Sequence, residues 1–153
     1  MEELINKISN WISFSTGFLF IIPVILYLVN PTNIHIKGFI GTIFSPFIAE
    51  ILKKYVTKTD SPRPPGATDC NFMCNDGNQS GQPGMPSGHS ATSVFFTAYY
   101  FQYTKNNYLR LAMIIYTALV MLSRYLKRCH TINQRVGGSL LGIIVAGILV
   151  RLL

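Results

Sequence analysis

From Trp11 to Val29 the chain carries no charged residue, and roughly 20 apolar residues are what a helix needs to cross a hydrocarbon core about 30 Å thick. This run constrains the fold more than any other feature. Inside lipid the backbone must satisfy its own hydrogen bonds, and only helices or closed barrels do so. Four further apolar stretches follow, Ile34 to Leu52, Ser90 to Tyr103, Leu109 to Tyr125 and Val136 to Leu153. The first of the four is interrupted by Lys37, Pro46 and Glu50, and Pro46 is expected to kink it. The pattern predicts an all-α fold, a multi-pass transmembrane helical bundle of about five spans. A signal peptide is the rival reading of the first run, but Glu2 and Glu3 precede it and no small-residue cleavage pattern follows.

Composition points the same way. Hydrophobic residues make up 49% and charged residues 12%, the latter about half the share usual in a soluble domain. A length of 153 residues gives one domain, 1–153, with a single core. The net charge of +7 does not indicate nucleic acid, because the basic residues punctuate apolar runs and form no basic arm or aromatic-interleaved stripe. The expected partners are the bilayer and a lipid within it; a homo-oligomer stays open.

The segment Lys53 to Ser87 differs in kind. Its prolines, glycines, asparagines and aspartates mark one long extramembrane loop, and long loops are often functional. Counting crossings places this loop on the same membrane face as the junction between the fourth and fifth spans. On that face lie Pro62-Arg63-Pro64, Pro86-Ser87-Gly88-His89, Ser123-Arg124 and His130. Ser87 is a good N-cap, so Ser87, Gly88 and the amides after them would offer free N–H groups at the positive end of a helix dipole, where phosphate binds. Gly88 lacks a Cβ and lets an anion approach the backbone. Arg63 and Arg124 can each give paired contacts to non-bridging oxygens. Two histidines beside such a clamp divide the work of attacking phosphorus and protonating the leaving oxygen. No metal or cofactor is required. Gln134, four residues after His130, would share its helical face and accept from the imidazole N–H through its carbonyl.

These residues resemble the type 2 phosphatidic acid phosphatase family, which includes lipid phosphate phosphatases, dolichyl diphosphatases and vanadium haloperoxidases. The second motif of that family, Pro-Ser-Gly-His, is matched by Pro86 to His89. The third, Ser-Arg, five residues, then His, is matched by Ser123, Arg124 and His130, and the Arg-Pro ending the first by Arg63 and Pro64. The resemblance runs from about residue 54 to 142. It implies that His130 is the nucleophile forming a phosphohistidine, that His89 is the general acid, and that Arg63, Ser87, Gly88 and Arg124 bind phosphate. The sequence departs from the family twice. The lysine due seven positions before the arginine falls on Val56, with Lys54 and Lys58 on either side; Lys54 is taken for that role because it ends the second span. Gln134 stands where most members carry an aspartate, although the stretch His130 to Gln134 resembles the dolichyl diphosphatase branch and tilts the substrate toward polyprenyl diphosphates.

Blander roles are assigned elsewhere. Lys127, Arg128 and Arg135 read as interfacial anchors that snorkel to headgroups. Cys70 and Cys74 could pair locally or bind a metal, but a free or structural role fits them better. Gly138 and Gly142 form a close-packing pair, and His35 reads as interfacial. Asn78-Gln79-Ser80 is a glycosylation sequon if the loop faces a lumen. Nine of the thirteen basic residues fall on the catalytic face, which the positive-inside rule would call cytoplasmic, but three of them are pocket ligands. The family and the sequon lean toward a lumenal or extracytoplasmic face. Two other functions stay in view, a silent lipid-phosphate binder and a vanadate-dependent peroxidase.

Overall fold

The structure, a computed structural model, describes residues 1–152. Six α-helices follow in order, α1 (Glu2–Ser15), α2 (Phe18–Val29), α3 (Asn33–Leu52), α4 (Gly88–Tyr103), α5 (Asn107–Leu126) and α6 (Ile132–Arg151). A π-helical turn, Lys53–Thr57, extends α3. The first expected span proves longer, because α1 and α2 form one apolar rod, Glu3–Val29, interrupted only at Thr16 and Gly17. Above the interruption α1 packs on α5; below it α2 packs on α3. Pro46 does not end α3, which runs helically through it. Leu153, the expected end of the last span, lies outside the described residues.

Four rods are long and apolar enough to cross a membrane: Glu3–Val29, Asn33–Thr57, Asn107–Leu126 and Ile132–Arg151. The fifth element, α4, has 16 residues and ten of them are buried, because α3, α5 and α6 pack around it. The sorting of residues is inverted relative to a water-soluble protein. Ile21, Leu28, Phe44, Phe47, Leu140 and Ile144 are exposed, whereas Ser13, Thr42, Ser45, Thr92, Arg124 and Gln134 are buried. Lipid solvates the first set, while the second finds partners only inside the bundle.

The α4–α6 seam brings two backbones close together. A Cβ on Gly138 would collide with the Ser87 carbonyl oxygen, and one on Gly142 would lie 2.6 Å from that of Ala91. Only glycine permits this approach, so the close-packing pair read from the sequence sits against α4. Lower down the seam widens to hold Phe95, Phe96, Tyr99 and Tyr100, packed with Leu19, Val145 and Ala146.

The long loop is folded on itself rather than open. Arg63 donates to the Gln82 carbonyl and accepts from the Gly81 amide, Ala67 accepts from Gln79, and Asp69 donates to Gly77. A disulfide joins Cys70 to Cys129 across a sequence separation of 59 residues and leaves Cys74 free. The local Cys70–Cys74 pair considered from the sequence does not form. The bundle brings the α5–α6 junction against the loop, and a partner far away in sequence lies nearer than the one four residues on.

Candidate active site

The pocket is assembled at one end of the bundle from three helix ends and the loop. Ser87 caps α4, and its Oγ accepts from the Ser90 amide at 3.4 Å. Its own amide donates to the Gln134 carbonyl at 2.9 Å, which fixes the start of α4 against α6. His89 follows in the first turn and is 4% exposed. Arg124, in the last turn of α5, is fully buried. Its Nη1 donates to Ser13 Oγ at 2.6 Å, and its Nη2 donates to the Cys70 carbonyl. The Arg124 carbonyl then accepts from both Cys129 and His130. That closure, with Arg128 at a φ of 55°, turns the chain so that His130 points back into the bundle, 2% exposed. Arg63 reaches over from the loop, its Nη1 donating to the Cys129 carbonyl at 3.5 Å.

Arg63, Arg124 and Lys53 all lie within electrostatic reach of His130, and His89 lies within reach of Arg124, His130 and Lys53. Arg63 Nε, His89 Nε2, Arg124 Nε and His130 Nδ1 are buried without a protein hydrogen-bond partner. Buried polar atoms are nearly always paired, and the natural complement of two guanidinium groups with unpartnered Nε donors is an anion. Burial pushes the His130 imidazole well below the ordinary histidine range, and Arg124, Arg63 and Lys53 push it further. The ring is therefore neutral near pH 7, with a lone pair available for attack. Arg63 is likewise lowered by burial, offset by Asp76 and Glu50.

One residue chosen from the sequence sits differently. Lys54 is not in the pocket; it is exposed and lies over the Tyr55 ring, 5.4 Å from its centroid. Lys58 is exposed as well. The buried lysine is Lys53, 6% exposed and ion-paired with Glu50. The π-turn explains the shift. The wide turn spans Lys53–Thr57 and ends at Lys58 with a φ of 41°, a departure from the α-helical period common near functional sites. Gln134 lies against the His130 ring as expected, and its amide is engaged in the fold as well. Its Oε1 accepts from the Thr131 amide at 3.1 Å, as part of a capping box on α6. Its Nε2 donates to the Ser61 and Pro62 carbonyls. Gln134 thus ties the loop beside Arg63 to the helix that follows His130, and its nearness to the ring favours the protonated form only weakly.

Gly88 opens α4, where a Cβ would meet only Glu50 and Pro46, at 3.7 and 3.8 Å. Both are ordinary contact distances, so packing alone does not require glycine there. Lys127 is not a headgroup anchor. Its Nζ turns inward to the Asp69 carbonyl at 2.6 Å and Cys74 Sγ at 3.2 Å, fastening the loop. His35 stacks on Tyr100, 6.0 Å between centroids, far from the pocket in the fold. Sequence reasoning missed Lys53, Ser13, Asp76 and Phe72; among these only Lys53, adjacent to the chosen lysine, left a signal that could have been read.

A helical bundle with four rods long and apolar enough to cross a membrane, and a buried cationic pocket with two histidines at one end, defines the class of polytopic α-helical membrane proteins. A family model for the PAP2 superfamily matches residues 36–153, most of the chain, and the protein belongs to that superfamily of phosphatases. No curated protein and no solved structure matches the chain.

Proposed function

We propose that the protein is an integral-membrane lipid phosphatase that removes phosphate from a phosphomonoester or diphosphate through a phosphohistidine on His130. The observation that carries this reading is the convergence of His89, His130, Arg63, Arg124 and Lys53 at a bundle end, with four of their nitrogens unpartnered. The substrate phosphate binds the two guanidinium groups, Lys53 and the amides that open α4. His130 attacks phosphorus in line as the bond to the lipid oxygen breaks; His89, held neutral in the empty pocket first by burial and then by Arg124, takes up a proton as the phosphate anion binds and gives it to that oxygen. Water then attacks the phosphohistidine and gives a proton to His89. The N–P bond breaks, releasing orthophosphate and restoring both histidines. Fixed positive charge around the equatorial oxygens supplies much of the acceleration.

The Cys70–Cys129 disulfide supports placing this face in an oxidising compartment, lumenal or extracytoplasmic. The run His130 to Gln134 supports a polyprenyl diphosphate as substrate. One observation favours a second reading, a silent lipid-phosphate binder: the Gln134 amide is spent on structure and brings no charge to an imidazolium.

Purified protein in detergent separates the two. Phosphate release from polyprenyl diphosphates, phosphatidate or lysophosphatidate, persisting in chelator and lost in His130→Ala, is the result expected of the enzyme. Saturable binding of the same lipids with no release sinks it in favour of the binder.

A further inference from the structure

The segment from Cys70 to Cys74 crosses the mouth of the pocket as a strap fixed at both ends. Cys70 is joined to Cys129 by the disulfide, and Cys74 rests against Lys127 Nζ. Between these anchors the Phe72 ring stacks on His89, with centroids 4.3 Å apart and planes inclined by 25°. Its other side meets Phe20 of α2 edge-on at 5.8 Å. Among the described residues neither the amide nor the carbonyl of Phe72 makes a protein hydrogen bond, so ring packing alone holds the middle of the strap.

A general acid must come within hydrogen-bond distance of the oxygen it protonates. The first carbons of the departing group therefore lie beside His89, where the Phe72 ring now lies. Phe20 continues that apolar wall onto α2, part of a rod with the composition of a membrane span. Neighbouring Met73 is 64% exposed and extends the apolar rim. A site for water-soluble phosphate esters gains nothing from an aromatic wall at this point, whereas a chain entering from the bilayer does.

We infer that Phe72 is a specificity-determining residue for the leaving group: its ring covers the resting site and, once displaced, packs along the first carbons of a lipid chain, so that the site favours lipid phosphates over soluble ones. The inference rests on the reading of His89 as the acid that protonates the leaving oxygen. Phe72 itself holds no proton and touches no phosphate donor.

The test compares kcat/KM for the best lipid phosphate of the panel with that for glycerol phosphate, in wild type, Phe72→Ala and Phe72→Leu. In Phe72→Ala the lipid-to-glycerol-phosphate ratio should fall about tenfold, the size of effect that follows when one apolar wall of a binding pocket is removed. Turnover of glycerol phosphate should hold or rise because the cover is gone, and Phe72→Leu should restore most of the ratio. Orthovanadate raising the melting temperature of each variant as it does that of wild type shows that the phosphate pocket is intact. A parallel change for both substrates, or none for either, overturns the inference. If Phe72→Ala fails to fold, Phe72→Gln, which keeps the bulk but not the apolar wall, takes its place, and an unchanged ratio there overturns the inference equally. Wild type that binds orthovanadate yet releases phosphate from neither substrate overturns the enzymatic reading, and this inference with it.

Discussion

The two halves of α4 have opposite designs within one continuous helix. From Gly88 to Ser93 every buried residue is small or polar apart from His89, whereas from Phe95 to Tyr100 the buried residues are aromatic. Where α4 meets the upper part of α6, glycines let the two backbones touch. Lower down, rings fill the space, and Gly38 and Gly41 of α3 make room for Tyr100 and Phe95. The contrast teaches that the site end is built for position and the far end for volume. A phosphate clamp needs its amides and imidazoles fixed to fractions of an ångström. A membrane-embedded core gains little from apolar burial alone and depends on close fit instead.

Substitutions at the two ends should therefore fail in different ways. His130→Ala removes the proposed nucleophile at the site end, and phosphate release should drop by about 10³-fold or more while thermal stability in detergent changes little. Phe95→Ala at the other end should do the reverse. It should cost about 3–5 kcal/mol of stability through the cavity left behind, with activity per folded molecule retained. If Phe95→Ala were the catalytically dead variant and stayed fully folded, the division would collapse.

A smaller effect sharpens the boundary of the site. Lys53→Ala should lower kcat/KM by about a hundredfold to a thousandfold, the range for removing a single charge-stabilising donor, and Lys54→Ala should stay within about twofold. The opposite ranking would return the first-motif role to Lys54. The seam offers a graded comparison. Gly138→Val pushes a side chain into the Ser87 carbonyl and should cost about 1–3 kcal/mol, along with activity, since Ser87 and His89 move together. Gly147→Ala, with nothing within 4 Å of the added Cβ, should lie within about half a kcal/mol of wild type.

The smallest effect is in pH. His130 is held well below the ordinary histidine range in the folded protein, first by burial and then by Arg124, Arg63 and Lys53. Below an unfolded value of about 6.5 the unfolded chain takes up a proton that the folded chain refuses, so stability falls as pH drops from there toward the folded value, by at most about 1.4 kcal/mol per unit. Above that window His130 contributes no slope. Melting curves at pH 5 and pH 7.5 should show a difference that His130→Ala reduces; an equal slope in the variant would separate the site from the acid response.

Much of the site was legible in the sequence because its chemistry lies in short segments. Pro86 to His89 and Ser123 to His130 each carry their own helix cap or helix end, and local geometry places the side chains once those ends form. The apolar runs gave the bundle for the same reason, since a bilayer reads each run independently. Lys53 escaped because one wide turn changes which of two adjacent lysines faces inward, and neither composition nor period marks a π-turn. Gln134 was found beside His130, but that its amide also holds Thr131 and the loop is visible only when all three are in place.

The chain alone determined that it spans lipid several times, and which histidines and arginines share a membrane face, because hydrophobic length and helix ends are local properties. Tertiary structure decided which lysine joins them, which cysteine pairs with Cys70, and that Phe72 covers His89. Each of those choices is a competition between groups distant in the chain for one small volume, and proximity across a packed bundle, not spacing along the chain, selects the winner.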